Sequence, residues 1–263
     1  MLYDEIRPSG TLRAYVECFW MGELDRLELA PFTYPQVASS RTELIFCCEG
    51  AMARKGAGTG AVFPAGVFGP SDRHQDYVAL SRKISLFGVR LYPQAMPALL
   101  SLPTGDLANE SADLYSLLGN EGLRLADGVF HAPSFREKAA VVRVFLEQKI
   151  RKQKTRHLLI ESAISRIYQC KGRISYTELL EGACLSQRQF ERNFKELAGF
   201  PLQSFLKIVR FEAVSEAVLK KEQPHTGLAL EYGYYDQSHF NNDFRRFTGR
   251  SPSQYLDMLA PYL

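Results

Sequence analysis

Two short stretches of the sequence carry side chains suited to reading DNA bases. The first holds Gln187, Arg188, Glu191 and Arg192, the second Gln237, Ser238, His239, Asn241 and Asn242. Arginine donates two hydrogen bonds to a guanine edge, asparagine and glutamine pair bidentately with adenine, and glutamate accepts from cytosine. A merely solvated helix face alternates Lys and Glu more often than it gathers amides such as Gln187, Gln189, Gln237, Asn241 and Asn242. Lys195, Lys207, Arg210, Arg245 and Arg246 lie close by in the chain and are candidates for phosphate contacts, which supply salt-dependent affinity without sequence information.

The elements that position these groups form a repeat. Leu180, Ala183, Ser186, Phe190, Phe194, Leu197, Gly199 and Phe205 match Leu230, Gly233, Asp236, Phe240, Phe244, Phe247, Gly249 and Tyr255 at a constant offset of 50 residues. Each copy predicts a short apolar helix, a turn at Ala183 or Gly233, an N-cap at Ser186 or Asp236, and a second helix stopped by Gly199 or Gly249. Phe190, Phe194 and Leu197 fall on one face of that second helix, as do Phe240, Phe244 and Phe247, which leaves the candidate readers on the other. Residues 201–219 predict a helix between the copies, about 28 Å long at the α-helical rise, of the order of the ~34 Å turn of B-DNA. An α-solenoid is the other reading of a helical repeat, but two copies fall short of the three or more that solenoids need.

The stretch from Gly233 to Tyr255, together with the stretch from Ala183 to Gly199, resembles the signature of AraC/XylS-type bacterial transcription regulators over about residues 155–259. The resemblance implies seven helices, two helix-turn-helix units joined by a long helix, and base-reading roles at the nine positions named above. It further implies double-stranded DNA as partner, with RNA polymerase, a small-molecule effector and a second copy of the chain as additional partners. The sequence departs from the family pattern at residues 224–227 (Pro-His-Thr-Gly), where an apolar residue usually opens the short helix, and at Asn242, where arginine is frequent.

Charge agrees with this division. Residues 1–153 hold 17 basic and 17 acidic side chains, so the whole net charge of +3 lies beyond them. The N-terminal half predicts a small β-rich domain, with strand-like runs at 43–48, 60–63 and 84–91. Residues 135–150 then predict an amphipathic helix capped by Ser134, whose apolar stripe either serves a dimer or packs on its own domain; the polar, basic run 151–156 follows. The N-terminal segments 7–20, 43–46, 68–71 and 86–93 resemble, more weakly, the cupin-like sensor domains attached to some of these regulators. The predicted architecture is therefore α+β in two domains: a cupin-like β-barrel at 1–134, a connecting helix and linker at 135–154, and an all-α double helix-turn-helix domain at 155–263.

Other chemistry finds little support. The cupin metal set needs a His-x-His pair with further ligands, whereas the N-terminal half holds only His74 and His131, and no nucleotide or nucleophile-elbow motif occurs. Neither metal nor cofactor nor enzymatic activity is expected. The five cysteines, Cys18, Cys47, Cys48, Cys170 and Cys184, lack a C-x-x-C pair and read as reduced thiols. No apolar run is long enough to span a membrane and Asp4 and Glu5 spoil a leader, so a cytoplasmic location is expected. Phe19, Trp20, Tyr34, Phe46, Phe63 and Phe87 either line a ligand pocket or fill the barrel core. A cupin-like ligand-binding or catalytic domain joined to a helical protein-interaction module is the alternative reading of the chain.

Overall fold

The computed structural model describes residues 2–25, 33–56, 63–100, 103–152, 157–181, 185–219 and 229–259. The N-terminal half is built on β1 (Leu2–Ile6), β2 (Val16–Asp25), β3 (Thr33–Gln36), β4 (Thr42–Glu49), β5 (Met52–Arg54), β6 (Ala65–Phe68), β7 (Gln75–Ala79), β8 (Lys83–Leu91) and β9 (Ser111–Asp113). They form two antiparallel sheets in the orders β1-β2-β8-β4-β6-β9 and β3-β7-β5. Among the described residues no strand pairing joins the two sheets, so the expected barrel is not closed.

Strand alternation divides the larger sheet into two faces. Phe19, Leu44, Phe46, Phe87, Val89 and Leu91 point to one side and pack against α1 (Ala95–Leu100), α3 (Asn120–His131) and α4 (Phe135–Lys152). Leu24, Ile45, Ile84 and Leu86 point to the other and meet Met52 and Tyr77 of the smaller sheet. A short α2 (Leu114–Leu118), capped by the Asp113 carboxylate, leads into α3.

Helix α4 starts where expected, with Ser134 Oγ accepting the Glu137 N–H. Its stripe, Ala139, Val142 and Leu146, is buried in the N-terminal core, which decides between the two uses read from the sequence: the stripe packs on its own domain. The strand-like runs 43–48 and 84–91 are β4 and β8. That at 60–63 falls mostly outside the described residues, and Phe63 itself is not in a strand.

Among the described residues from Leu158 onward the regular structure is helical, including α5 (Leu158–Gln169), α6 (Tyr176–Leu180), α7 (Gln187–Ala198), α8 (Leu202–Leu219), α9 (Gln237–Thr248) and α10 (Pro252–Leu259). Helix α8 runs through the middle of one shared core. Its Phe205 packs edge-on against Phe194 of α7 at 5.4 Å, and its Phe211 packs against Phe244 and Phe247 of α9 at 5.5 and 5.0 Å.

Candidate nucleic-acid interface

The two helix-turn-helix units repeat the same local devices. In the first, Ser175 and Glu178 form a capping box that starts α6, and Ser186 and Gln189 form another that starts α7. Gln189 is thereby engaged at the helix start, with Oε1 accepting the Ser186 N–H at 3.1 Å, so this amide is a cap and does not belong with the readers. The Tyr176 hydroxyl donates to the Gln187 carbonyl and its ring meets Phe190 edge-on, which fixes the angle between α6 and α7. In the second unit the Asp236 carboxylate accepts the His239 N–H at 2.7 Å, and Tyr234 packs on Phe240 as Tyr176 does on Phe190. Asp236→Ala is expected to lower stability by about 1 kcal/mol, read as a shift of the urea midpoint. Both α7 and α9 end on a left-handed glycine, Gly199 at φ 85° and Gly249 at φ 73°, a conformation that costs a residue with a Cβ.

The aromatic face of each helix is inside, with Phe190, Phe194, Phe240 and Phe244 fully buried. On α7, Gln187, Arg188, Arg192 and Lys195 are exposed and Glu191 is half-buried. On α9, Ser238, Asn242, Arg245 and Arg246 are exposed, while Gln237, His239 and Asn241 are half-buried. Gln237 Nε2 donates to Asn241 Oδ1 at 3.4 Å, so these two amides are held side by side one turn apart. His239 stands over Tyr234 with Nε2 3.6 Å from the Asp243 carboxylate, which orients the ring.

The five basic side chains fare differently. Lys195, Lys207 and Arg245 are exposed. Arg210 instead directs its guanidinium at the Gly172 and Gly233 carbonyls and lies against Tyr234, tying α8 to the turn of the second unit. Arg246 pairs with Asp72 of the N-terminal half at 2.9 Å.

Arg246 belongs to a wider junction that the sequence did not reveal. Residues 70–76, which run from the β6–β7 connection into the start of β7, touch the C-terminal ends of α7 and α9: Pro70 lies against Gly199, His74 against Gly249, and Asp76 pairs with Arg250 at 3.5 Å. Beside them the Ala38 N–H donates to the Phe247 carbonyl. Arg41 joins the halves most tightly, held between Glu17 at 3.0 Å and Glu212 of α8 at 2.8 Å, and stacked on Tyr168 at 3.9 Å. Burial opposes its charge, but Tyr168, Glu212 and Glu17 outweigh burial and raise its pKa. Partners 171 residues apart leave no local pattern in a sequence.

The described cysteines are free. Burial pushes the Cys18 thiol up to about 12, so it is chemically inert, while Cys184 and the departure at residues 224–227 lie outside the described residues. Among the described residues no group of three or more His, Cys, Asp or Glu side chains is placed to hold a metal, and no helix is long and apolar enough to cross a membrane.

Two known families match these two halves separately. A family described as "Helix-turn-helix domain" matches residues 179–258, and one described as "Domain of unknown function (DUF6597)" matches residues 4–113. A probable transcriptional regulator, LumQ of Photobacterium leiognathi, is 30% identical over 112 residues, 43% of this chain and 44% of that protein. An uncharacterized HTH-type transcriptional regulator of Haemophilus influenzae is 33% identical over 78 residues, 30% of this chain and 26% of that protein. The C-terminal half thus carries a helix-turn-helix domain. The chain aligns with less than half the length of either of these curated relatives. The whole fold is similar to that of ToxT from Vibrio cholerae in its unsaturated-fatty-acid-bound crystal structure, at 15% identity and a TM-score of 0.52, covering 97% of this chain and 99% of that one.

Proposed function

We propose that the protein is a sequence-specific transcription regulator of the cytoplasm whose α7 and α9 enter successive major grooves of double-stranded DNA, under control of a small molecule bound by the N-terminal half. The observation that carries this is the pair of equivalent capped helices, α7 and α9, each with an aromatic inner face and an Arg-, Asn- and Gln-bearing outer one. Helix α8, which lies between them, is 18 residues or about 27 Å long, itself of the order of one turn of B-DNA. Gln187, Arg188, Glu191 and Arg192 would read one groove; Gln237, Ser238, His239, Asn241 and Asn242 would read the next. Lys195, Lys207 and Arg245 would meet phosphates, joined by Arg246 when it leaves Asp72.

The division of labour follows the sequence: residues 1–134 sense, 135–154 connect and 155–263 bind DNA. Effector control is supported by the Vibrio protein of the same fold, whose crystal structure has an unsaturated fatty acid bound. A homodimer would have to form on a surface other than the α4 stripe, which is already buried. Polymerase contact follows only if the protein activates transcription.

The test is fluorescence anisotropy against duplexes tiled across candidate promoters, over a salt series. Arg192→Ala is expected to cost about 1–3 kcal/mol on the cognate duplex and much less on scrambled DNA. Equal losses on both would make Arg192 a phosphate contact, and absence of any salt-sensitive binding would favour a protein-interaction module.

A further inference from the structure

The two sheets of the N-terminal half enclose a cavity of about 140 Å³. A cavity of roughly this size holds one benzene-sized ring. Tyr3, Trp20, Tyr34, Phe63, Phe68 and Tyr77 line it, and three of them, Tyr3, Tyr34 and Phe63, are exposed. Large aromatic side chains left partly in water around an opening are the mark of a surface that receives something apolar. Trp20 can lie flat over β8 only because residue 88 is glycine, since a Cβ there would sit 2.2 Å from the indole.

Glu23, Glu43 and Arg90 are the charged side chains of the lining, and Arg90 faces Glu43 at 2.8 Å and Glu17 at 4.0 Å. Glu17 pairs in turn with Arg41, and Arg41 with Glu212. Two carboxylates, Glu23 and Glu43, thus line the cavity against one guanidinium, Arg90, which is already answered by carboxylate oxygens. An anionic ligand would find no free cation here among the described residues, whereas a cation would meet one surplus negative charge and the faces of aromatic rings.

We propose that this cavity binds a small arylalkylammonium compound, its ring among the aromatic side chains and its ammonium toward the Glu43 carboxylate. The assignment names the effector class and rests on the effector-controlled reading given above. Occupancy would reach the DNA-binding half by two routes. The Arg90–Glu17–Arg41 chain ends on Glu212 of α8, and the strands carrying Phe68 and Tyr77 are joined by the segment that holds the ends of both reading helices.

Trp20 is the single tryptophan of the chain, so its emission reports the cavity directly. The full-length protein is titrated with phenethylamine, 2-phenylethanol, phenylacetate and decanoate, following Trp20 fluorescence and calorimetric heat together. Phenethylamine is expected to bind at least about tenfold more tightly than phenylacetate. Glu43→Gln should remove most of that preference while 2-phenylethanol still binds, which certifies that the variant is folded. Phe63→Ala, at the exposed rim, should weaken both. Tightest binding by phenylacetate or decanoate, equal affinity for the amine and the alcohol, or no binding by any probe would overturn the assignment. Anisotropy on the DNA duplex is measured separately: failure there defeats the regulator reading and leaves the cavity result standing.

Discussion

Phe211→Ala is expected to destabilise the protein by about 4 kcal/mol, within the range for emptying a buried phenylalanine site. The ring is 1% exposed and touches Phe244 and Phe247, which are themselves buried. Those contacts are also what holds the second helix-turn-helix unit to α8. Because Phe205 holds the first unit to the same helix only six residues earlier, the spacing of α7 and α9 depends on two aromatic plugs in one rod. Phe211→Ala should therefore lower cognate affinity beyond its effect on the folded fraction, whereas Phe211→Leu should lose less of both. Urea unfolding followed by circular dichroism gives the first quantity and anisotropy on the folded protein the second. A loss below about 1 kcal/mol would mean that the core around α8 collapses into the vacated space.

What the sequence made legible was local. The capped helices α7 and α9 announce themselves through the caps Ser186 and Asp236, the stopping glycines Gly199 and Gly249, each 13 positions after its cap, and a 3.6-residue aromatic period. Strands β4 and β8 are equally visible in their alternation. Helix α3 is not, because Gly122 and Gly128 dilute its helical signal although Gly122, Leu125, Ala126 and Val129 form a buried face. That the β-rich half divides into two sheets, with β3, β5 and β7 pairing among the described residues with one another, is a matter of long-range register that composition does not carry. Of the six aromatics left open between pocket and core, Trp20, Tyr34 and Phe63 line the cavity and Phe19, Phe46 and Phe87 fill the helical side. On β2, β4 and β8 that partition follows from period-2 alternation once the helix-covered face is known, and nothing local says which face that is. The junction between the halves was invisible for the same reason, since Asp72 and Arg246 lie 174 residues apart.

That junction makes Arg41 the most consequential single charge in the protein. Its side chain is 12% exposed, and its fork answers Glu17 with two nitrogens, Nε and Nη2, and Glu212 with the third, Nη1. Glu212 also accepts from the Ser40 N–H and hydroxyl, and the Ser40 hydroxyl meets that of Tyr168, so four side chains converge on one guanidinium. Arg41→Ala would leave two carboxylates close together with no cation between them and is expected to cost about 3 kcal/mol, the lower end for breaking a buried pair because both glutamates keep some access to water. Arg41→Lys should rescue little: an ammonium supplies one point charge, cannot answer both carboxylates from a planar fork, and loses the stack on Tyr168. The decisive measurement is a double-mutant cycle. If Arg41→Ala and Glu212→Gln act through the same contact, the double variant should be less destabilised than the sum of the singles by at least about 1 kcal/mol. Additive effects would show that Arg41 supports only its own sheet through Glu17, and the charged route from the cavity to α8 would end there.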